Sequence, residues 1–266
     1  KLDVLKQCVA IDVTGDAELT SVKDSLGLCD WIHRLHAQRC SGGDADKPMA
    51  LLLTGPAAFG KTSFLSQLII HSLNRVNVEL VPILVRVQML QTHLLAAPAT
   101  FAAAWNWVDA YLGQEYCTVP LLYRMLRQAM VARRALILLD GLDEGGEKRD
   151  EIERHVTTVL ALQGHVVFVT SRPDGIRDDQ FINFHRLSLS PLTQAQQQQA
   201  LKQRLGEQRT AALLPYLELM PVDSATQLRI TANPLMLSMV ASIFELRSGL
   251  QMPQTVVDLY KEATKA

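Results

Sequence analysis

The chain has 266 residues, 48% of them hydrophobic and 20% charged, which suits one large α/β domain or two smaller ones with real cores. Lys and Arg number 26 against 27 for Asp and Glu, and a net charge of −1 argues against the basic face of a nucleic-acid binder. No apolar run reaches the ~18 residues a bilayer span needs, since the longest candidate, Leu94 to Trp105, is broken by Pro98 and Thr100.

The chain opens at Lys1 without a methionine or a signal pattern and ends at Ala266 inside an apparent helix, so both ends read as cuts in a longer protein. Residues 1–40 mix polar and apolar positions, with a helical stretch from Leu26 to Arg39. Cys29, His33, His36 and Cys40 fall along one side of that helix and suggest zinc. At about 1.5 Å rise per residue, Cys29 and Cys40 would lie some 16 Å apart, too far for the ~2.0–2.3 Å ligand bonds of one tetrahedral ion. The four cysteines (Cys8, Cys29, Cys40 and Cys117) are scattered, with no CxxC, and read as free thiols of a reducing cytosol.

Ser41 to Pro48 is a loop by composition. Strands are expected at 49–54, 80–87, 135–140, 165–170 and 184–189, separated by helices at 61–74, two across about 100–133, and one at 149–163. Alternating strands and helices imply an α/β fold with parallel crossovers and a helix-covered sheet. After Leu189 the strand pattern stops. Residues 193–206, 208–219, 223–231 and 234–247 read as helices, the Gln-rich first of them capped by Thr193, and Pro253 to Ala266 begins another.

Residues 55–63 read Gly55-Pro56-Ala57-Ala58-Phe59-Gly60-Lys61-Thr62-Ser63, a GxxxxGK[ST] phosphate-binding loop. Its glycines allow a tight wrap around a polyphosphate, and successive backbone N–H groups then point at the phosphate oxygens. Lys61 reaches the β/γ-phosphates, Thr62 can bind Mg²⁺, and the helix that follows adds the positive end of its dipole. The apolar run before the loop and the helical spacing of Phe64, Leu65, Leu68, Ile69 and Leu73 after it supply the strand–loop–helix context.

Leu136-Ile137-Leu138-Leu139-Asp140 ends a buried strand on an acid, as strands do where their carboxyl ends face a ligand. Asp140 can hold Mg²⁺ opposite Thr62, and either Glu144 or Asp143 can orient the attacking water. His165 to Ser171 is another apolar strand, leading to Arg172 and Pro173. If the two strands are neighbours, Arg172 stands beside the acids and its forked donors can read a γ-phosphate.

Together these residues resemble the NACHT-type members of the STAND class of P-loop NTPases. Gly141 with Asp143-Glu144 matches the family's Walker B pattern, Val81 to Val87 resembles its second strand, and Thr170-Ser171-Arg172-Pro173 its sensor 1. Asn233-Pro234-Leu235 resembles the helical-domain motif whose proline packs on adenine, and Leu259-Tyr260 the entry to a winged-helix domain. The resemblance spans about residues 47–266. It implies a five-stranded parallel core in the order 5-1-4-3-2 followed by a helical subdomain. The boundaries it implies are a helical or linker segment at 1–45, a nucleotide-binding domain at 46–191, a helical domain at 192–252 and a truncated winged-helix region from 253. It further implies ATP/ADP and Mg²⁺ as cofactors, and a cytoplasmic switch that self-associates with ATP, hydrolyses it slowly and meets protein partners through domains outside this chain. Gly55 to Ser63, Arg172 and Pro234 would hold the nucleotide, Thr62 and Asp140 the metal, and Lys61, Asp143 and Glu144 the chemistry.

A turnover ATPase of AAA+ type that remodels a protein partner is the competing reading. The paired acids and the Asn-Pro-Leu motif favour the switch. No NKxD guanine reader is present, which favours adenine.

Overall fold

In the computed structural model, residues 11–42, 49–223, 226–246, 253 and 255–263 are described. The chain divides into two compact units. A sheet unit comprises Val13–Pro56 and Leu65–Leu189, and a helical unit comprises Lys1–Asp12, Ala57–Phe64 and Ser190–Ala266. The strands are β1 (Val13–Gly15), β2 (Met49–Thr54), β3 (Val81–Arg86), β4 (Ala135–Asp140), β5 (Val166–Ser171) and β6 (His185–Leu189). The helices are α1 (Ser25–Cys40), α2 (Lys61–Leu73), α3 (Val87–Ala96), α4 (Pro98–Ala103), α5 (Trp107–Glu115), α6 (Pro120–Val131), α7 (Arg149–His155), α8 (Gln194–Leu205), α9 (Glu207–Glu218), α10 (Pro234–Leu246) and α11 (Val256–Ala263).

The sheet order is β1-β6-β2-β5-β4-β3. All pairings are parallel except β1 with β6. The expected sheet of five strands is therefore corrected to six. The five expected strands run β6-β2-β5-β4-β3, and β1 closes the β6 edge through Val13 opposite Leu189 and Gly15 opposite Leu187. Three residues alone carry too short a pattern to read as a strand.

Central strands explain themselves. In β2 and β4 every residue but the last is buried, and β5 is buried throughout, as strands covered on both faces must be. Edge strand β3 is only partly buried and contains Pro82, which a sheet tolerates where no ladder bond is lost. The core joins Leu52, Val85, Ile137, Leu139, Val167 and Val169 of the sheet to Leu90, Phe101, Val108 and Met130 of the helices.

Helix boundaries follow their caps. Asp24 accepts from Gly27 N at 2.8 Å to begin α1, and Asn106 accepts from Asp109 N at 2.8 Å to begin α5. Two helices were expected across 100–133. Pro98, Asn106 and Pro120 instead start three between Pro98 and Val131, and α3 precedes them. The helix expected at 149–163 is regular only to His155. It then widens into a π segment at Val156–Leu160, where the Thr157 and Thr158 hydroxyls bond back to the Glu153 and Arg154 carbonyls.

In the helical unit, α8 opens with a capping box between Thr193 and Gln196. The helix expected at 223–231 is absent among the described residues. Val222 pairs antiparallel with Arg229, and a 3-10 turn follows at Ile230–Ala232. Gln227, at φ 56°, stands in a left-handed conformation that no helix accommodates. Arg204 fastens α8 to α10, reaching Glu245 at 2.7 Å, Ser242 Oγ at 2.7 Å and the Ser238 carbonyl at 3.1 Å.

Candidate nucleotide site

The candidate residues fall in both units. In the sheet unit, Gly55 follows β2 directly and is buried. Its N–H donates to the Ser171 carbonyl at 3.3 Å, and a Cβ there would stand 3.2 Å from the Leu189 side chain. Pro56 is exposed. Thr54 lies opposite Ser171 in register and Leu139 opposite Val169, so the loop motif begins at the same sheet edge as the ends of β4 and β5.

In the helical unit, Ala57, Ala58 and Thr62 are exposed, while Phe59, Gly60, Lys61 and Ser63 are half-buried. The loop turns on two left-handed residues, Ala58 at φ 63° and Gly60 at φ 89°. At Gly60 glycine is required twice over: the conformation disfavours a side chain, and a Cβ would sit 2.5 Å from Ile11 Cδ1. The Phe64 N–H donates to the Gly60 carbonyl at 2.8 Å, so α2 starts directly after the glycine and its first turn carries Lys61 and Thr62. Asn233 caps α10, its side-chain oxygen accepting from Leu235 N at 2.9 Å, and its Nδ2 donates to the Ala57 carbonyl at 3.4 Å. Pro234 stands half-buried at the first position of α10.

The acid segment lies wholly in the sheet unit. Asp140 ends β4, and Gly141 at φ 78° turns the chain sharply. The fully buried Thr170 links the two, donating its hydroxyl to Asp140 Oδ1 at 2.8 Å and accepting from Gly141 N at 2.9 Å. Thr170 thereby helps orient the Asp140 carboxylate. A carboxylate such as that of Asp140 is a hard-oxygen donor of the kind that suits Mg²⁺.

Asp143 and Glu144 are adjacent in sequence and differently engaged. Asp143 Oδ2 pairs with Arg172 Nε at 2.9 Å, and its Oδ1 accepts the Arg172 backbone N–H at 3.1 Å. Glu144 folds back over Gly141, where a Cβ would meet its carboxyl carbon at 3.0 Å. The sequence does not tell the two acids apart, because the residue that engages only Asp143, Arg172, lies 29 residues away. Thr170 and Asn233 entered the sequence reading only as members of motifs; the Thr170 position, in register at the end of the neighbouring strand, is the feature that could have revealed its bond to Asp140.

No protein-family model and no curated protein sequence matches the chain. Among solved structures, it is similar to a chain of the HORMA–CdnC–Trip13 complex of E. coli MS115-1, at 12% identity over 91% of this chain and 85% of that one, with a TM-score of 0.48. It is similar to PCH-2 of C. elegans at 12% identity over 90% and 67% of the two chains, TM-score 0.43. It is also similar to AMPPCP-bound DnaA of Aquifex aeolicus at 13% identity over 82% and 62%, TM-score 0.47. The fold is read from the molecule itself: a buried parallel sheet whose strand β2 runs into a glycine loop and helix is the α/β arrangement of P-loop NTPases. No helix among the described residues is long and apolar enough to cross a membrane.

Proposed function

We propose that the chain is the nucleotide-binding part of a NACHT-type switch that binds Mg-ATP, hydrolyses it slowly and self-associates in the ATP state. Gly55 to Ser63 wrap the phosphates, with Lys61 on the β/γ-phosphates. Thr62 and Asp140 hold Mg²⁺, which when bound neutralises phosphate charge. Pro234 packs on adenine. The single observation that carries the nucleotide reading is the left-handed Gly60 seated on Ile11, opening α2 directly at Lys61.

Glu144 is the acid we assign to orienting the attacking water, because Asp143 is already committed to Arg172. Arg172 reads the γ-phosphate by exchanging the Asp143 carboxylate for a phosphate oxygen, a swap its half-exposed guanidinium permits. The domain reading at 46–191, 192–252 and from 253, with a helical or linker segment at 1–45, belongs to this proposal, as do the cytoplasmic location and the protein partners met through domains outside this chain.

Light scattering with ATP and with ADP, run beside a turnover assay, tests the switch. Larger particles with ATP and slow turnover are expected. Fast cycling in stable hexamers irrespective of nucleotide would point to a remodelling ATPase of AAA+ type instead.

A further inference from the structure

Glu153 is a carboxylate with no solvent exposure, set in the middle of the short helix α7. Its Oε1 accepts Arg149 Nε at 2.9 Å, one helical turn back. Its Oε2 has no hydrogen-bond donor, and the nearest cation, Arg177 Nε, stands at 3.9 Å while that guanidinium pairs with Asp150. Burying a carboxylate this way is costly, and an apolar side chain of the same size would pack there more cheaply. An account of Glu153 must therefore rest on what it holds.

It holds Arg149, and Arg149 holds the turn that carries Arg172. The Nη2 of Arg149 donates to the Gly175 carbonyl. Gly175 closes the turn by donating its N–H to the Arg172 carbonyl at 3.0 Å. It also lies against the acid segment, where a Cβ would stand 2.9 Å from Asp143 Cβ and 3.0 Å from Ser171 Oγ. The guanidinium is planar and its donors are fixed relative to one another, so fixing Nε on Glu153 fixes where Nη2 meets Gly175.

We propose that the pair of buried Glu153 and half-buried Arg149 is a positioning strut that sets the Arg172 turn and so determines preference for ATP over ADP. The inference rests on the reading of Arg172 as the γ-phosphate contact. Glu153 and Arg149 touch no nucleotide in it; they act through the backbone of Gly175.

ADP supplies the internal control, because it lacks the γ-phosphate and its binding counts the folded, competent fraction. The experiment titrates ATP and ADP with Mg²⁺ into the wild type, Glu153→Gln, Arg149→Lys, Arg172→Ala and the exposed neighbour Arg154→Ala. Lysine keeps the charge at 149 but cannot span both Glu153 and Gly175, and it serves should Glu153→Gln fail to fold. Expected is a loss of about tenfold in ATP affinity relative to ADP in Glu153→Gln and Arg149→Lys, the size that small misplacement of a phosphate ligand produces, with Arg154→Ala unchanged. Arg172→Ala losing the preference while both strut variants bind ADP and keep it would overturn the strut and leave the nucleotide reading standing. No preference change in Arg172→Ala, or no nucleotide binding by the wild type, would overturn the reading beneath it and the strut together.

Discussion

The phosphate loop and the acid turn after β4 make their structure in opposite ways. From Ala57 to Ser63 the loop is mostly exposed or half-buried, and its shape resides in backbone: two left-handed residues, one tight glycine contact and the hydrogen bond that opens α2. The acid turn is held by side chains at and just beyond the end of β5, with Thr170 on Asp140 and Arg172 on Asp143. A loop built of backbone writes itself in the sequence, because only glycine satisfies Gly60. A turn built of side-chain pairs does not, because three acids close together look alike until their partners, 28 to 30 residues away, are known.

The sharpest way to break this contrast is at the loop's one charge. Lys61→Ala removes the main partner of the phosphates, and ATP affinity is expected to fall by two orders of magnitude or more, about 3 kcal/mol. Thermal stabilisation by ATP that survives in Lys61→Ala refutes the loop assignment. The next largest effect separates the acids. Glu144→Gln is expected to retain ATP binding and lose roughly 100-fold in hydrolysis, the scale of a positioned general base. Asp143→Asn weakens the hold on Arg172 and is expected to cost less in turnover. Near-full activity in Glu144→Gln with loss in Asp143→Asn would reverse the two roles in single-turnover assays.

Gly60→Val tests the backbone half. The φ of 89° and the approach to Ile11 both oppose a side chain, and a stability loss of about 2 kcal/mol is expected from denaturant unfolding without nucleotide. A wild-type midpoint would show that the loop relaxes freely. The last test lies away from the site. Burial holds His165 and His155 neutral, pushed down to about 4, with Arg133 and Arg39 adding to the effect at His165. His155 Nε2 accepts the Trp107 N–H at 3.1 Å, a role only the neutral ring can fill. Both folded values lie below the unfolded value of 6.5, so the folded state binds fewer protons and its stability is complete above pH 6.5. It is lost as the pH falls toward 4, by up to about 1.4 kcal/mol per pH unit for the buried His165. Unfolding free energies at pH 7 and pH 5 measure it, and equal values would contradict the burial argument.

Much of the molecule was legible from sequence for physical reasons that these contrasts expose. Strands β2, β4 and β5 announce themselves as unbroken apolar runs because both faces are covered. The loop announces itself through Gly60 and Lys61. Strand β1 did not, since three residues gain their pairing only from β6. Residues 223–231 carry helical spacing, yet the left-handed Gln227 and the Val222–Arg229 bridge break it, a tertiary preference that periodicity does not record. In the site, residue types were readable and commitments were not. Arg172 was expected to read a phosphate; its engagement by Asp143, and the buried Glu153 behind it, depend on register and packing.

The central claim, an adenine-nucleotide site on the loop from Gly55 to Ser63, is tested most directly by one calorimetric comparison. Mg-ATP, Mg-ADP and Mg-GTP are titrated into the purified chain under the same conditions. One-to-one binding of ATP and ADP is expected, with GTP clearly weaker. Absence of binding by all three, or a preference for GTP, would contradict it.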